Sequence, residues 1–121
     1  MTAPATPPRS WRVVVASAVE RDLGEIYDYI EAQSGAARAE KVFARLRAQI
    51  HGLAEFPERG SWPPELLDLG VRDFRQLVVR PWRIFYKVSE SQVNVLLIAD
   101  SRRDLRTLFE RRLFAVDRPA T

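Results

Sequence analysis

Residues 81–105, PWRIFYKVSESQVNVLLIADSRRDL, decide how the rest of the chain is read. In WRIFYKV (82–88) the pleat of a strand sends Trp82, Ile84, Tyr86 and Val88 to one face and Arg83, Phe85 and Lys87 to the other. Ser89, Glu90, Ser91 and Gln92 supply a polar turn, after which residues 93–98, VNVLLI, return as a β-forming run. A helix is predicted over about 102–114, with Leu105, Leu108, Phe109 and Leu113 as its apolar stripe. Asp104 follows Ser101 by three positions, the spacing at which a side chain in the first helical turn reaches back to its N-cap.

Working outward, residues 11–16 (WRVVVA) read as a first strand. Ser17-Ala18-Val19-Glu20 has capping-box spacing, with Ser17 expected as N-cap. The helix that follows carries Val19, Leu23, Ile26, Tyr27 and Ile30 on one stripe and keeps Asp22, Glu25, Asp28 and Glu31 largely off it. Ser34-Gly35 is a break. A second helix places Ala39, Val42, Phe43, Leu46, Ile50 and Leu53 at helical spacing and stops near Pro57. Two amphipathic helices so closely joined are expected to pair as an antiparallel hairpin. Residues 57–70 form a Pro- and Gly-containing loop with a short turn near Leu66, and residues 71–79 form another strand. The order is β-α-α-β-β-β-α. The last three strands make an antiparallel meander, because their connections are too short for crossovers. The fold class is α+β, one domain over 11–114 with the helical hairpin on one face of the sheet, between flexible tails at 1–10 and 115–121.

At 121 residues the chain has room for one modest core. No cysteine is present, which excludes disulfides and thiolate metal sites and fits a reducing cytoplasm. No run is apolar enough for a membrane span or a signal peptide. The net charge is only +3, but it is unevenly spread. Residues 1–71 hold 8 Lys/Arg against 10 Asp/Glu, and residues 72–121 hold 11 against 6. That asymmetry points the C-terminal half toward an acidic partner, nucleic acid or protein, although a solvated basic surface has the same signature.

Catalytic signatures are sparse. The lone histidine, His51, sits just off the apolar stripe of the second helix, with nothing nearby in sequence to orient it. There is no Gly-rich phosphate loop, paired-His metal spacing or nucleophile motif, so neither a cofactor nor a metal is expected. The carboxylates at Asp22, Glu25 and Asp28 read as the wet face of an amphipathic helix. What remains is a set of cations: Arg72, Arg75, Arg80, Arg83, Lys87, Arg102, Arg103 and Arg106. Arginine suits phosphate and carboxylate recognition because its planar fork donates two parallel hydrogen bonds. Arg83 either points into a concave basic surface on the open side of the sheet or bridges to an acid such as Asp100 or Asp104.

The succession Trp82-Arg83-Ile84-Phe85-Tyr86, the apolar strand 93–98 and Arg102-Arg103-Asp104 closely resembles the core of the RelE/ParE superfamily of bacterial toxins, in its ParE-like branch. The resemblance spans roughly residues 12–113. It implies the toxin of a type II toxin–antitoxin pair, a non-enzymatic inhibitor of DNA gyrase that blocks replication. It also implies neutralisation by a cognate antitoxin with a DNA-binding N-terminal domain and an acidic segment, expected to contact the helical hairpin and residues 75–87. The alternative from the same superfamily is a ribosome-dependent endoribonuclease acting on messenger RNA, for which Arg83, Arg103 and Tyr86 are the candidates. That set is incomplete, because Phe109 and Phe114 stand where such enzymes carry a proton-transferring residue, and Tyr86 falls on the core-facing side. A third reading is a toxin-like domain serving only in interaction or operon regulation. One of Arg102 and Arg103 is expected to pair with a carboxylate on the hairpin, leaving the other for the target.

Overall fold

The computed structural model describes residues 11–114, and the expected tails at 1–10 and 115–121 lie outside the described residues. The elements are β1 (Arg12–Val15), α1 (Ser17–Ser34), α2 (Ala36–Gly52), α3 (Pro64–Leu67), β2 (Arg75–Val79), β3 (Trp82–Ser89), β4 (Gln92–Asp100) and α4 (Leu105–Phe109). A π-helical turn, Glu110–Phe114, follows α4. Among the described residues the strands form one sheet in the order β1-β4-β3-β2. The meander β2-β3-β4 is antiparallel as expected. The sheet as a whole is mixed, because β1 lies beside β4 in parallel, with Val13 opposite Val93 and Val15 opposite Val95. The intervening hairpin provides the long connection that parallel pairing needs.

Each helix of the hairpin buries one stripe. Val19, Leu23 and Ile30 of α1 and Ala39, Val42, Leu46 and Ile50 of α2 pack on Leu77, Val79, Ile84, Tyr86, Val93, Val95 and Ile98 of the sheet. Gly35 adopts φ 90° between the helices, a left-handed conformation that favours glycine and turns the chain through the break. Tyr27 ties α1 to α2 by donating its hydroxyl to Glu40 Oε1 at 2.8 Å. The other face of the sheet holds a second, smaller core, with Phe85, Leu96, Leu97 and Ala99 under Leu66, Phe74, Leu105 and Phe109. The alternation expected along β3 is met. A bulge between Phe85 and Tyr86 pairs them with Leu97 and Val95, so Leu96 is the extra residue on β4.

Three element starts differ from expectation, each because backbone groups are claimed elsewhere. Ala16, not Ser17, is the N-cap of α1. Its backbone is extended and its N–H donates to Val95 O at 3.0 Å, continuing the β1–β4 ladder one residue further. Strand β2 begins at Arg75 rather than near Val71. Val71 N–H is spent on Leu66 O at 2.8 Å, closing α3 behind Gly70 at φ 74°. The last helix starts at Leu105 with Asp104 as N-cap, so Ser101, Arg102 and Arg103 lie in a turn before it. Ser101 N–H donates to Pro81 O at 2.8 Å and Arg103 N–H to Asp100 O at 3.0 Å. Leu105 and Phe109 of the expected stripe are buried, and Leu108 is half-buried. Leu113 lies outside the described side chains.

Candidate functional site

The eight predicted cations do not share one surface. Cross-strand register puts Arg75 opposite Tyr86, on the hairpin side of the sheet, whereas Arg83 and Lys87 belong to the other side. Arg75 donates to the carbonyl oxygens of Glu58 (3.2 Å) and Gly60 (2.9 Å), with its guanidinium 4.0 Å from the centroid of Trp62. It is a clamp on the loop between α2 and β2. Lys87 is half-buried, its ammonium 5.7 Å from the centroid of Phe74. Arg72 and Arg106 are exposed, away from the groove described below.

Arg83 is engaged rather than open to a basic surface. Its Nη1 and Nη2 donate to the two carboxylate oxygens of Glu65 at 2.7 and 2.8 Å, a bidentate pair, and its Nε donates to Gln76 Oε1 at 2.7 Å. Nη2 also contacts Gln76 Oε1. The Arg83 side chain is 11% exposed against 41% for Glu65. The bridging alternative therefore holds, with Glu65 of α3 as the partner in place of Asp100 or Asp104. Sequence gave no means of choosing Glu65, because 18 residues and a turn-rich loop separate the two. Hydrogen bonding from Arg83 holds the Glu65 carboxyl below its usual range, against an opposing push from burial.

Tyr86 is fully buried. Its hydroxyl donates to Pro57 O at 2.8 Å and accepts from Gly60 N–H at 2.9 Å. Burial raises its pKa, which the Gly60 N–H and the nearby Arg75 only partly counter. The phenol is thus a fastener for the loop and offers no route to proton exchange with a ligand.

Arg102 and Arg103 also sit differently from expectation. Arg102 folds back on Asp100: its backbone N–H and Nε reach Oδ1 at 2.9 and 3.0 Å, and Nη2 reaches Oδ2 at 2.9 Å. Those bonds, chiefly the side-chain ones, lower the Asp100 pKa to about 2. Neither residue pairs with the hairpin. That role belongs to Arg112, which makes a bidentate pair with Asp22 of α1 at 3.0 and 3.2 Å. The turn holding residues 101–103 is anchored to β4, which keeps both arginines near the sheet end.

One groove does collect predicted residues. It measures about 490 Å³ and lies between the hairpin and the β2–β3 and β4–α4 connections. Its apolar lining includes Ile26, Ile30, Val42, Trp82 and Ile98, and Tyr29 at its rim is 67% exposed. Arg80, Arg102 and Arg103 enter from the sheet end, and Arg38 and Arg45 from α2. Arg38 and Arg45 are not among the eight predicted cations, which came from the C-terminal half of the chain. Their signal was present: they flank the buried Ala39 and Val42 at a spacing that returns to one side of the helix. Among the described residues no group of three or more metal-ligating side chains gathers. His51 is exposed at the last turn of α2.

Comparison with known proteins places this architecture. Residues 13–105 match the family model described as ParE toxin of the type II toxin–antitoxin system parDE. Toxin ParE3 of Caulobacter vibrioides is 29% identical over 94 residues, covering 78% of this chain and 90% of that protein. A solved chain from the chromosomal ParDE toxin–antitoxin system of P. aeruginosa has a TM-score of 0.64 at 20% identity, covering 76% of this chain and 97% of its own. At that identity the structural likeness speaks for the fold, while the family match spans most of the chain. With the meander, the hairpin and the Arg102-Arg103-Asp104 turn all inside the matched region, this chain belongs to the ParE toxin family of type II toxin–antitoxin systems.

Proposed function

We propose that this ParE-family toxin acts in the cytoplasm on DNA gyrase, and that it does so without catalysing a reaction of its own. A toxin of a two-component system implies a cognate antitoxin that holds it inactive. The observation that carries the non-enzymatic reading is the engagement of Arg83. Cleaving RNA requires a cation free to stabilise a phosphorane-like state and a group to move the 2′-OH proton. Glu65 occupies both terminal nitrogens of Arg83, and Tyr86 keeps its hydroxyl bonded inside the core. Arg83 and Tyr86, two of the three candidates for the nuclease alternative, are therefore committed to structure, and Arg103 alone is exposed. Membership in the ParE family favours gyrase as the target. The test is to incubate purified, antitoxin-free chain with gyrase and supercoiled DNA, and separately with translating ribosomes. Trapped double-strand breaks with intact messenger RNA are expected. Messenger RNA cleavage that Arg83→Ala abolishes in a folded protein would overturn the reading.

A further inference from the structure

The groove between the hairpin and the sheet end lies on the side of the sheet opposite Arg83, because Trp82 and Ile98 of its floor face the hairpin. Its charge is unbalanced once the internal pairs are removed. Asp100 is bonded to Arg102 and Asp22 to Arg112, which leaves Glu25 as the remaining carboxylate of the lining. Against it stand Arg38, Arg45, Arg80 and Arg103, all exposed and none in an ion pair with another described residue. Arg38 and Arg45 reach in from α2, and Arg80 and Arg103 from the two turns at the sheet end. Ser101 N–H donates to Pro81 O at 2.8 Å, so those two turns are held together with the arginines they carry.

Aromatic rings lie between these cations. Tyr29 of α1 is 67% exposed at the rim, and Trp82 is half-buried in the floor. A guanidinium donates two parallel hydrogen bonds to a phosphate and also stacks on a planar ring, which an ammonium does not. Free arginines interleaved with open aromatic rings suit a nucleic-acid strand, with phosphates on the cations and bases on the rings. An acidic protein segment answers the charge. A nucleotide answers the charge and the open ring with one repeating unit. At about 490 Å³ the groove has the size of a small-molecule site, roughly 300–1,000 Å³, so an unstacked base fits where a stacked duplex does not.

We propose that the groove binds single-stranded nucleic acid, with Arg38, Arg45, Arg80 and Arg103 on its phosphates and Tyr29 stacked on a base. The chemistry is common to DNA and RNA, and it stands apart from whether the toxin acts on gyrase. The test is fluorescence anisotropy of labelled oligodeoxyuridylate with purified, antitoxin-free toxin across a series of salt concentrations. The logarithm of affinity is expected to fall against that of salt with a slope of about −3, or about −0.7 for each of four phosphates. Arg38→Gln, Arg45→Gln, Arg80→Gln and Arg103→Gln are each expected to make the slope shallower by about 0.7. Tyr29→Ala is expected to weaken binding about tenfold at an unchanged slope. Arg72→Gln and Arg106→Gln, exposed away from the groove, are expected to change neither. Circular dichroism establishes that each variant melts like wild type. Competition against the wild-type toxin needs no variant: an unlabelled duplex and an oligoglutamate of equal length are each expected to compete at least about tenfold less well than the unlabelled single strand. No binding at about 50 mM salt overturns the proposal, as does a slope unmoved by the four groove variants or moved equally by Arg72→Gln or Arg106→Gln. Equal competition by the duplex or the oligoglutamate overturns it too, because charge alone is then being read. Oligouridylate, which differs from the probe in its 2′-hydroxyls, assigns the source: tighter binding of the deoxy strand marks DNA, and tighter binding of the ribo strand marks RNA.

Discussion

Tyr86 brings a hydroxyl into the main core and satisfies it twice, against Pro57 O and Gly60 N–H. Removing it leaves a buried acceptor and a buried donor without a partner, which costs more than the net value of one hydrogen bond. Tyr86→Phe is expected to lose about 1–3 kcal/mol in urea denaturation while leaving the sheet in place. Gly60 is bound to the same spot by space: a Cβ there would meet the Tyr86 hydroxyl and sit 2.6 Å from Gln76 O. Arg83 and Glu65 form a partly exposed bidentate pair, so each single alanine variant is expected to cost on the order of 1 kcal/mol. The double variant should cost less than the sum, the mark of a direct pair in a double-mutant cycle. If Arg83 is a loop fastener, Arg83→Ala also keeps growth arrest in cells; loss of arrest in a protein of unchanged stability would contradict this.

At the scale of elements, the hairpin is the part most firmly tied to the core. Leu46 is fully buried between α1, α2 and the sheet, and Leu46→Ala is expected to cost about 2–5 kcal/mol by thermal or denaturant unfolding. The C-terminal segment is held more lightly. Asp104 caps α4 without a side-chain bond to the backbone, its carboxylate instead accepting from Thr107 Oγ1 at 3.1 Å. Asp104→Ala should therefore fall near the low end of cap losses, about 0.5 kcal/mol. Arg112 ties the π-helical turn to α1 through Asp22, across 90 residues of sequence. Arg112→Ala leaves Asp22 half-buried without its partner, and faster amide exchange in α4 than in α1 or α2 is the expected readout.

Across the whole molecule, acid should act through the same carboxylate–arginine pairs. Asp100 has its pKa lowered from 3.8 to about 2 by Arg102, and Glu65 is lowered from 4.5 by Arg83. A depressed folded-state pKa adds stability that is complete above the unfolded value and lost as pH falls through the folded one. These two groups therefore contribute nothing to any change between pH 7 and pH 5, and their stabilisation fades from about pH 4.5 toward pH 2. Melting temperature against pH should show this limb, and Glu65→Gln or Asp100→Asn should flatten it in part. A limb unchanged in both variants would mean that other carboxylates carry the acid response.

Periodicity was enough for the α+β architecture, the helical hairpin and the meander, because each rests on contacts between near neighbours and on a repeat of 3.6 or 2 residues. The Trp82/Ile84/Tyr86/Val88 face and the stripes of α1 and α2 were legible for that reason. The family was legible as well, since its motif is contiguous in residues 82–104. Tertiary structure alone decided where long side chains go. It sent Arg83 to Glu65, Arg112 to Asp22, and Arg75 to loop carbonyls on the opposite side of the sheet. It also brought Arg38 and Arg45 of α2 beside Arg80 and Arg103. An arginine reaches well beyond its own element, and its partner is whichever carboxylate the fold delivers, a distance in space that no local spacing encodes.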